Sequence, residues 1–111
     1  MASLNFVALP SMDEYVLTLE SNIVHCCAQG NYSTVHLADG SVITLSKKLK
    51  DLQSALNREH FVRVHHSHIV NLIHARKFVK KYGGQLVLST GDIIDVSRSK
   101  KKTLFEKLTI V

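Results

Sequence analysis

The sequence predicts a mainly β domain with two short helices. Apolar and polar side chains alternate with a two-residue period in short segments along most of the chain, which is typical of β-strands. Turns rich in glycine separate several of these segments, and such turns usually join neighbouring strands. Helical spacing of apolar residues occurs in two places only, so helices are a minor part of the predicted fold.

The first half of the chain is predicted to contain five strands and one helix. The strands are predicted over residues 6–9, 15–19, 23–28, 32–37 and 42–45. Residues 29–31 have the composition of a hairpin loop, and the Asp39-Gly40 pair favours a tight turn because it accepts positive φ angles. Ser46 is a suitable N-cap for an amphipathic helix over residues 47–56. Its apolar stripe consists of Leu49, Leu52, Ala55 and Leu56.

The second half is predicted to contain four strands and a final helix. The strands are predicted over residues 61–65, 73–82, 85–89 and 93–96. Gly83-Gly84 is predicted to be a two-residue hairpin turn, and residues 90–92 form another turn. Ser97 or Ser99 is expected to cap the last helix. The buried stripe of that helix is predicted to be Leu104, Phe105, Leu108 and Val111.

Length and composition indicate a single domain, assigned to residues 4–111, since 111 residues with 45% apolar side chains can bury one core. No apolar run approaches the ~20 residues that a membrane helix needs, and no secretory signal is recognisable. The two cysteines, Cys26 and Cys27, are neighbours, which favours a reducing compartment over a disulfide scaffold. The sequence therefore predicts a cytoplasmic domain that does not contact a membrane and has no cofactor or metal.

Charge is distributed unevenly along the chain. Residues 1–46 contain four acids and no Lys or Arg, whereas residues 47–111 contain all 14 basic residues and five acids, so the charges are −4 and +9. A basic surface of this kind attracts and holds polyanions. The alternative interpretation is a solvated, lysine-rich face without a partner.

Two short segments contain most of the candidate site residues. Residues 63–71, written RVHHSHIVN, place His66, Ser67 and His68 where a strand ends, and polar residues at strand ends are often accessible to a ligand. Residues 96–102, written VSRSKKK, crowd four cations at a helix start: Arg98, Lys100, Lys101 and Lys102. Cations there oppose the helix dipole, so a bound anion would offset the cost.

Other classes of function have weaker support. The histidines at positions 60, 65, 66, 68 and 74 suggest a metal site, but zinc needs three or four converging ligands and no acid lies between Glu59 and Asp92. No nucleophile elbow and no glycine-rich phosphate loop is present, so the sequence does not predict an enzyme. A protein-interaction or dimerisation module with a basic face remains the alternative.

RVHHSHIVN, the downstream DVSRSKKK and the upstream AQGNYSTVHLADG together resemble the LytTR family of bacterial DNA-binding domains. The family's usual pattern is a Phe, Arg, apolar, His, Arg, Ser, aromatic, apolar, Val, Asn run, with Val-Ser-Arg and a basic helix downstream. The resemblance covers about residues 6–108. It implies an antiparallel, small sandwich-like β fold that contacts DNA with the loops between strands and not with a recognition helix.

The resemblance also implies partners. It predicts the output domain of a transcriptional regulator that binds double-stranded promoter DNA, with two copies on paired sites. The segment FVALPSMDEYV resembles the start of such domains where they follow a receiver domain in a longer parent chain. No receiver is contained in these 111 residues, which predicts either a standalone domain or a part of a longer regulator.

The family's DNA-contacting positions correspond to the Asn31–Tyr32 loop, His66 and Arg98. The basic helix start separately predicts Lys100 and Lys101 as phosphate contacts. Positions that correspond to architectural residues are His65, Ser67 and Asn71. The sequence departs from the family at three positions that bear on base preference. His66 stands where Arg or Asn is commoner, His68 where an aromatic residue is usual, and Tyr32 where a shorter polar residue or histidine can serve.

The chemistry of these side chains fits the same roles. Arg98 can make a bidentate contact to guanine O6 and N7, although an ion pair with Asp95 or Glu106 is the alternative. His66 can bond a base edge, or a phosphate when charged. Asn31 and Tyr32 would contact the DNA backbone, or would be ordinary turn and strand residues.

Overall fold

The structure, a computed structural model, describes residues 5–111, which form ten strands and two α-helices. The strands are β1 (Phe6–Pro10), β2 (Tyr15–Leu19), β3 (Ile23–Gln29), β4 (Tyr32–Leu37), β5 (Val42–Leu45), β6 (Phe61–His65), β7 (His68–Asn71), β8 (Ala75–Val79), β9 (Gln85–Leu88) and β10 (Ile93–Asp95). The helices are α1 (Leu49–Ala55) and α2 (Lys101–Glu106). The predicted mainly β class with two short helices is confirmed. The predicted domain start at residue 4 lies outside the described residues.

The strands form three antiparallel sheets. The largest has five strands in the order β5-β4-β3-β7-β6, beside a three-stranded β10-β9-β8 sheet and the β1-β2 hairpin. In the centre of the large sheet, Cys26 of β3 pairs with Val35 of β4 on one side and Ile69 of β7 on the other. The β6-β7 hairpin is thereby joined to the β3-β4-β5 meander, which places segments distant in sequence in one sheet.

Both faces of the five-stranded sheet are covered by apolar side chains, which gives the sandwich-like arrangement. One face packs against α1 and the β1-β2 hairpin, with Ile23, Cys26 and Ile69 fully buried in this first core. The other face packs against the three-stranded sheet and α2, where Leu104 is fully buried. Burying one such aliphatic side chain contributes roughly 1.5–3 kcal/mol, so the two cores hold the strands in place.

Helix α1 is shorter than predicted, and the Ser46 cap is wrong. The helix begins at Leu49, and Lys48 occupies the N-cap position. The backbone N–H of Lys48 donates to Asp51 Oδ2 at 3.4 Å, which satisfies one free donor at this helix start. Ser33 Oγ donates to the carbonyl of Lys47 at 2.7 Å, and this bond ties the residues before the helix to the sheet.

The predicted strand over residues 73–82 is also too long. Only Ala75–Val79 is a strand, between 3₁₀ turns at Leu72–His74 and Lys81–Gly83. The backbone N–H of Ile73 donates to Asn71 Oδ1 at 3.2 Å, and this side-chain bond starts the first turn. The link to β9 is therefore longer than the predicted Gly83-Gly84 turn. Gly84 is required there because a Cβ would lie 2.7 Å from Phe78 Cζ.

The last helix differs from its prediction in both length and capping. A 3₁₀ turn at Arg98–Lys100 precedes α2, and Ser97 stands before that turn without a side-chain capping bond. Since α2 ends at Glu106, the predicted buried positions Leu108 and Val111 fall beyond it and are exposed. Leu104 is buried as predicted, and the Phe105 ring packs edge-on against Phe78 with centroids 5.0 Å apart.

Candidate nucleic-acid interface

Three segments that are far apart in sequence lie side by side at one end of the five-stranded sheet. The backbone N–H of Ala28, near the end of β3, donates to the carbonyl of Ser67 in the β6–β7 turn at 2.9 Å. The N–H of Ser97, after β10, donates to the carbonyl of Val64 at 2.8 Å. The β3–β4 turn, the β6–β7 turn and the segment that starts with Ser97 and Arg98 therefore meet at one end of the sheet, which is called the turn end below.

Asn31 and Tyr32 lie at the β3–β4 turn, as predicted. Gln29 pairs with Tyr32, which leaves Gly30 and Asn31 as a two-residue turn, and Gly30 adopts φ 62°, a conformation that glycine tolerates well. Asn31 is exposed and Tyr32 is 52% exposed. The Tyr32 side chain lines an open cavity of about 660 Å³ between β5 and the β1–β2 turn, together with Lys47. A cation and a phenol therefore stand beside the hairpin tip.

His66 is exposed in the β6–β7 turn, and two neighbouring side chains hold that turn. Arg63 donates from Nε to the carbonyl of His65 at 3.1 Å and from Nη2 to the carbonyl of His66. The N–H of Ser67 donates to His65 Nδ1 at 3.1 Å, which is consistent with the architectural assignment of His65 and Ser67. The ring of His66 lies against that of His65, with centroids 4.4 Å apart. Sequence reasoning gave Arg63 no role, although its place in the motif beside the histidines was a signal.

Arg98 and the following lysines extend from the turn end to α2. Arg98 and Lys102 are exposed, while Lys100 and Lys101 are partly buried. The Lys101 stem lies over the β8–β9 link, since a Cβ at Gly84 would come within 3.0 Å of Lys101 Cε. The alternative ion pair of Arg98 with Asp95 or Glu106 is not found. Asp95 instead accepts a hydrogen bond from Gln85 Nε2 at 2.9 Å.

The cations of the chain are not neutralised by its acids. Within residues 5–111 the ion pair found is between His25 Nε2 and Asp92 Oδ2 at 3.5 Å, and no Lys or Arg nitrogen lies within 4.0 Å of a carboxylate oxygen. Unpaired cations at the turn end can attract a polyanion without first breaking internal ion pairs. The alternative interpretation, a solvated, lysine-rich face, would require that these cations bind no polyanion.

A group of histidines with lowered pKa values lies on the face of the sheet beside the turn end. His25 is 5% exposed, and its ring stacks on that of His36 with centroids 4.1 Å apart. Burial and the neighbouring His36 lower the pKa of His25 to about 4, although Asp92 opposes the shift. Burial likewise lowers the pKa values of His36 and His68. Sequence reasoning missed His25, whose only signal was a histidine within an otherwise apolar strand.

The histidines do not form a metal centre in the part of the chain that the structure describes. There, no group of three or more His, Cys, Asp or Glu side chains could hold a metal ion. Cys26 is buried, which raises its pKa to about 12, and it is therefore an unreactive core thiol. Between residues 5 and 111 no helix is long and apolar enough to cross a membrane.

Comparison with known proteins identifies the family. The model described as the LytTr DNA-binding domain matches residues 13–109, so the chain belongs to the LytTr DNA-binding domain family. The resemblance stated from the sequence motifs is confirmed.

Two known proteins resemble the chain in sequence or in fold. It is 37% identical over 108 residues to the CO-responsive transcriptional regulator RcoM of Rhodospirillum rubrum, covering 94% of this chain and 44% of that protein. The chain thus spans less than half the length of this relative. The fold matches the LytTr DNA-binding domain of a Bacillus cereus protein described as a methyl-accepting/DNA response regulator, with a TM-score of 0.82 and 21% identity. That match covers 95% of this chain and 97% of the solved one.

Proposed function

We propose that this domain binds double-stranded promoter DNA sequence-specifically through the turns at the turn end. In this proposal it is the output domain of a bacterial transcriptional regulator in the cytoplasm. The observation that supports this most directly is the meeting of Asn31, His66 and Arg98 in three neighbouring segments. Each residue comes from a different part of the chain, and all three are exposed. Main-chain bonds join these segments at the sheet end, so the side chains start from fixed backbone positions.

The three turns are proposed to have different tasks. Arg98 contacts a guanine edge, because its planar guanidinium can donate two parallel hydrogen bonds to O6 and N7. His66 contacts a base edge or a phosphate from the turn that Arg63 holds. Asn31 and Tyr32 contact the sugar-phosphate backbone beside Lys47, and contacts of that kind fix the position of a protein on the duplex.

The lysines near α2 supply the sequence-independent part of binding. Lys100, Lys101 and Lys102 lie close to Arg98 in the chain and have no carboxylate partner within the described residues. Each phosphate that they neutralise releases counterions, so log K should fall with log salt by about 0.9 per contact. Replacing any one of them by Ala should weaken binding equally on all sequences.

The regulator's overall assembly is part of the proposal. Two copies of the domain are proposed to occupy paired sites, as the family resemblance implies. Because the chain spans 44% of RcoM, a second domain in a longer parent chain would receive the input signal. Whether that domain is a receiver or another sensor does not change the proposed role of the turn end.

Selection of bound duplexes from a random pool tests the proposal. Purified domain should enrich a defined sequence, and titration of that duplex at two salt concentrations should give a steep negative slope. A protein-interaction module with a basic face would enrich no sequence and would bind every duplex equally weakly. Enrichment that survives replacement of both Arg98 and His66 would also refute the proposed interface, although not DNA binding itself.

A further inference from the structure

A second basic site lies on the side of the molecule, along the free edge of β6. There a cavity of about 190 Å³ opens between α1, β6 and α2. Four cations line it: Arg58, Arg63, Lys100 and Lys107. Its other lining residues are uncharged, so no carboxylate faces the cations. These four residues come from two distant stretches of the sequence, residues 58–63 and 100–107, and only Lys100 belongs to the predicted DNA-contacting set.

Hydrogen bonds fix two of the four cations in place. Arg63 is held by the carbonyls of His65 and His66, and Lys107 Nζ donates to the carbonyl of Arg58 at 2.8 Å. Neither bond neutralises a charge, since carbonyls are dipoles. Like charges near each other repel, and partial burial weakens the screening by water. An anion bound in the cavity would therefore stabilise this arrangement of four cations.

Size and geometry favour a phosphate group as this anion. Water takes up about 30 Å³ per molecule in the liquid, so a cavity of about 190 Å³ has room for one phosphate group and a few waters. Guanidinium groups donate paired hydrogen bonds to phosphate oxygens, and lysines add compact charges. Arg58 is exposed and has no side-chain hydrogen bond among the described residues, so it is free to turn toward such a ligand.

We infer that this cavity binds a backbone phosphate of the same DNA duplex, outside the turn end. The inference rests on the proposed function and extends it. The cavity is continuous with the proposed interface, because Lys100 belongs to both and Arg63 joins the cavity to the His66 turn. The β6 edge runs from the His66 turn to the end where Phe61 pairs with Asn71, so a duplex bound at the turn end reaches Arg58 by extending along this edge. The domain then contacts more phosphates than the three turns alone can reach.

The variant Arg58→Gln tests this inference, with Arg76→Gln as the matched control. Both arginines are exposed, but Arg76 donates to the carbonyl of Ile73 and does not line the cavity. Affinity is measured on the selected duplex and on a random duplex over a range of salt. Arg58→Gln should bind both duplexes roughly 3- to 10-fold more weakly, and the slope of log K against log salt should flatten by about one unit. Arg76→Gln should behave as the wild type.

The outcomes separate this inference from the proposed function. If the wild type binds its selected duplex and Arg58→Gln keeps the wild-type affinity and slope, the inference is refuted while the function stands. If the wild type enriches no duplex, the proposed function fails first. The alternative ligand is a free phosphate ion instead of a phosphate of the duplex. A titration with inorganic phosphate, followed by amide NMR, tests this alternative. Saturable shifts at the cavity without any change in the salt slope would identify a free anion as the ligand and would overturn the duplex assignment.

Discussion

The open end of the β6-β7 hairpin lies opposite the turn end. Asn71 at the open end is 1% exposed, whereas His66 at the turn end is exposed. Asn71 donates from Nδ2 to the carbonyl of Ile23 at 2.8 Å and accepts from the N–H of Ile73. The two residues lie in the same nine-residue motif, yet one has its hydrogen bonds satisfied inside the protein and the other presents its ring to solvent. A buried polar group of the first kind stabilises the fold, and an exposed one of the second kind is available to a partner.

The contrast extends to the surroundings of the two ends. At the open end, buried Glu20 accepts a hydrogen bond from the N–H of Asn57 at 3.2 Å, which ties the residues after α1 to those before β3. At the turn end, Arg63 satisfies carbonyls of the turn and leaves the ring of His66 outside. The comparison predicts that substitutions of the buried polar residues at the open end reduce stability, whereas substitutions of the exposed residues at the turn end reduce binding.

Asn71→Ala should have the largest effect, on stability. It removes two hydrogen bonds and leaves the buried carbonyl of Ile23 without its side-chain donor, which should cost about 2–4 kcal/mol. Urea unfolding measures this loss. His66→Ala is the control at the other end and should change the free energy of unfolding by less than about 0.5 kcal/mol. Equal losses for both variants would remove the distinction between the ends.

Stability should also decrease as the pH is lowered, because His25 lies buried between the two ends. Its pKa is lowered from 6.5 to about 4, so below pH 6.5 the unfolded chain binds a proton that the folded chain does not. The free energy of unfolding should therefore decrease by about 2 kcal/mol between pH 7 and pH 5 and level off below pH 4. His25→Gln should flatten this curve, leaving a smaller slope from His36 and His68, whose pKa values are lowered in the same direction. A wild-type curve that is flat between pH 7 and pH 5 would contradict the assignment of a neutral, buried His25.

Local turn chemistry explains why most strands were predictable. The β3–β4 hairpin and the Asp39-Gly40 turn are encoded by glycine and short polar residues that accept positive φ, so their strands were located within one residue. The predicted ends of helices and strands were wrong where a tertiary contact determines the end. The predicted start of β8 at residue 73 was too early because Asn71 begins a turn there. The position of Asn71 depends in turn on its hydrogen bond to the carbonyl of Ile23.

The part of the candidate site that lies in sequence motifs of the family was predictable. Asn31, His66 and Arg98 stand in segments that the family resemblance identifies, and the structure brings those segments to one end of the sheet. The cavity along β6 was not predictable, because Arg58 and Lys107 are 49 residues apart and meet only through folding. Pairing across a sheet and packing of helices on its edge are not visible in local sequence patterns.

At the turn end, Arg98→Lys should reduce specificity more than general affinity. Lysine keeps the charge but lacks the planar pair of donors, so binding to the preferred duplex should weaken by about 1–3 kcal/mol and binding to random DNA should change little. Competition titrations with the two duplexes measure both values. Equal losses on both would assign Arg98 to a phosphate. No loss on either would remove Arg98 from the interface.

The smallest expected effect concerns His66, which stands where the family more often has an arginine. An imidazole gains its charge near neutral pH, whereas a guanidinium is charged throughout, so a contact from His66 to phosphate or guanine should strengthen as pH falls. Affinity should rise about two- to fivefold between pH 8 and pH 6. The pKa values of His25, His36 and His68 are lowered, so these rings gain less charge over this range than an ordinary imidazole does.

Two substitutions decide whether His66 is responsible for that rise. His66→Asn keeps a polar side chain of similar length without a titratable ring, so its affinity should be independent of pH. His66→Arg should bind more tightly than the wild type at pH 8 and should lose the same pH dependence, because its charge is permanent. Parallel curves for the wild type and His66→Asn would show that another group titrates. The turn end would then differ from the open end by exposure alone, and Arg98 with the Asn31–Tyr32 loop would account for recognition.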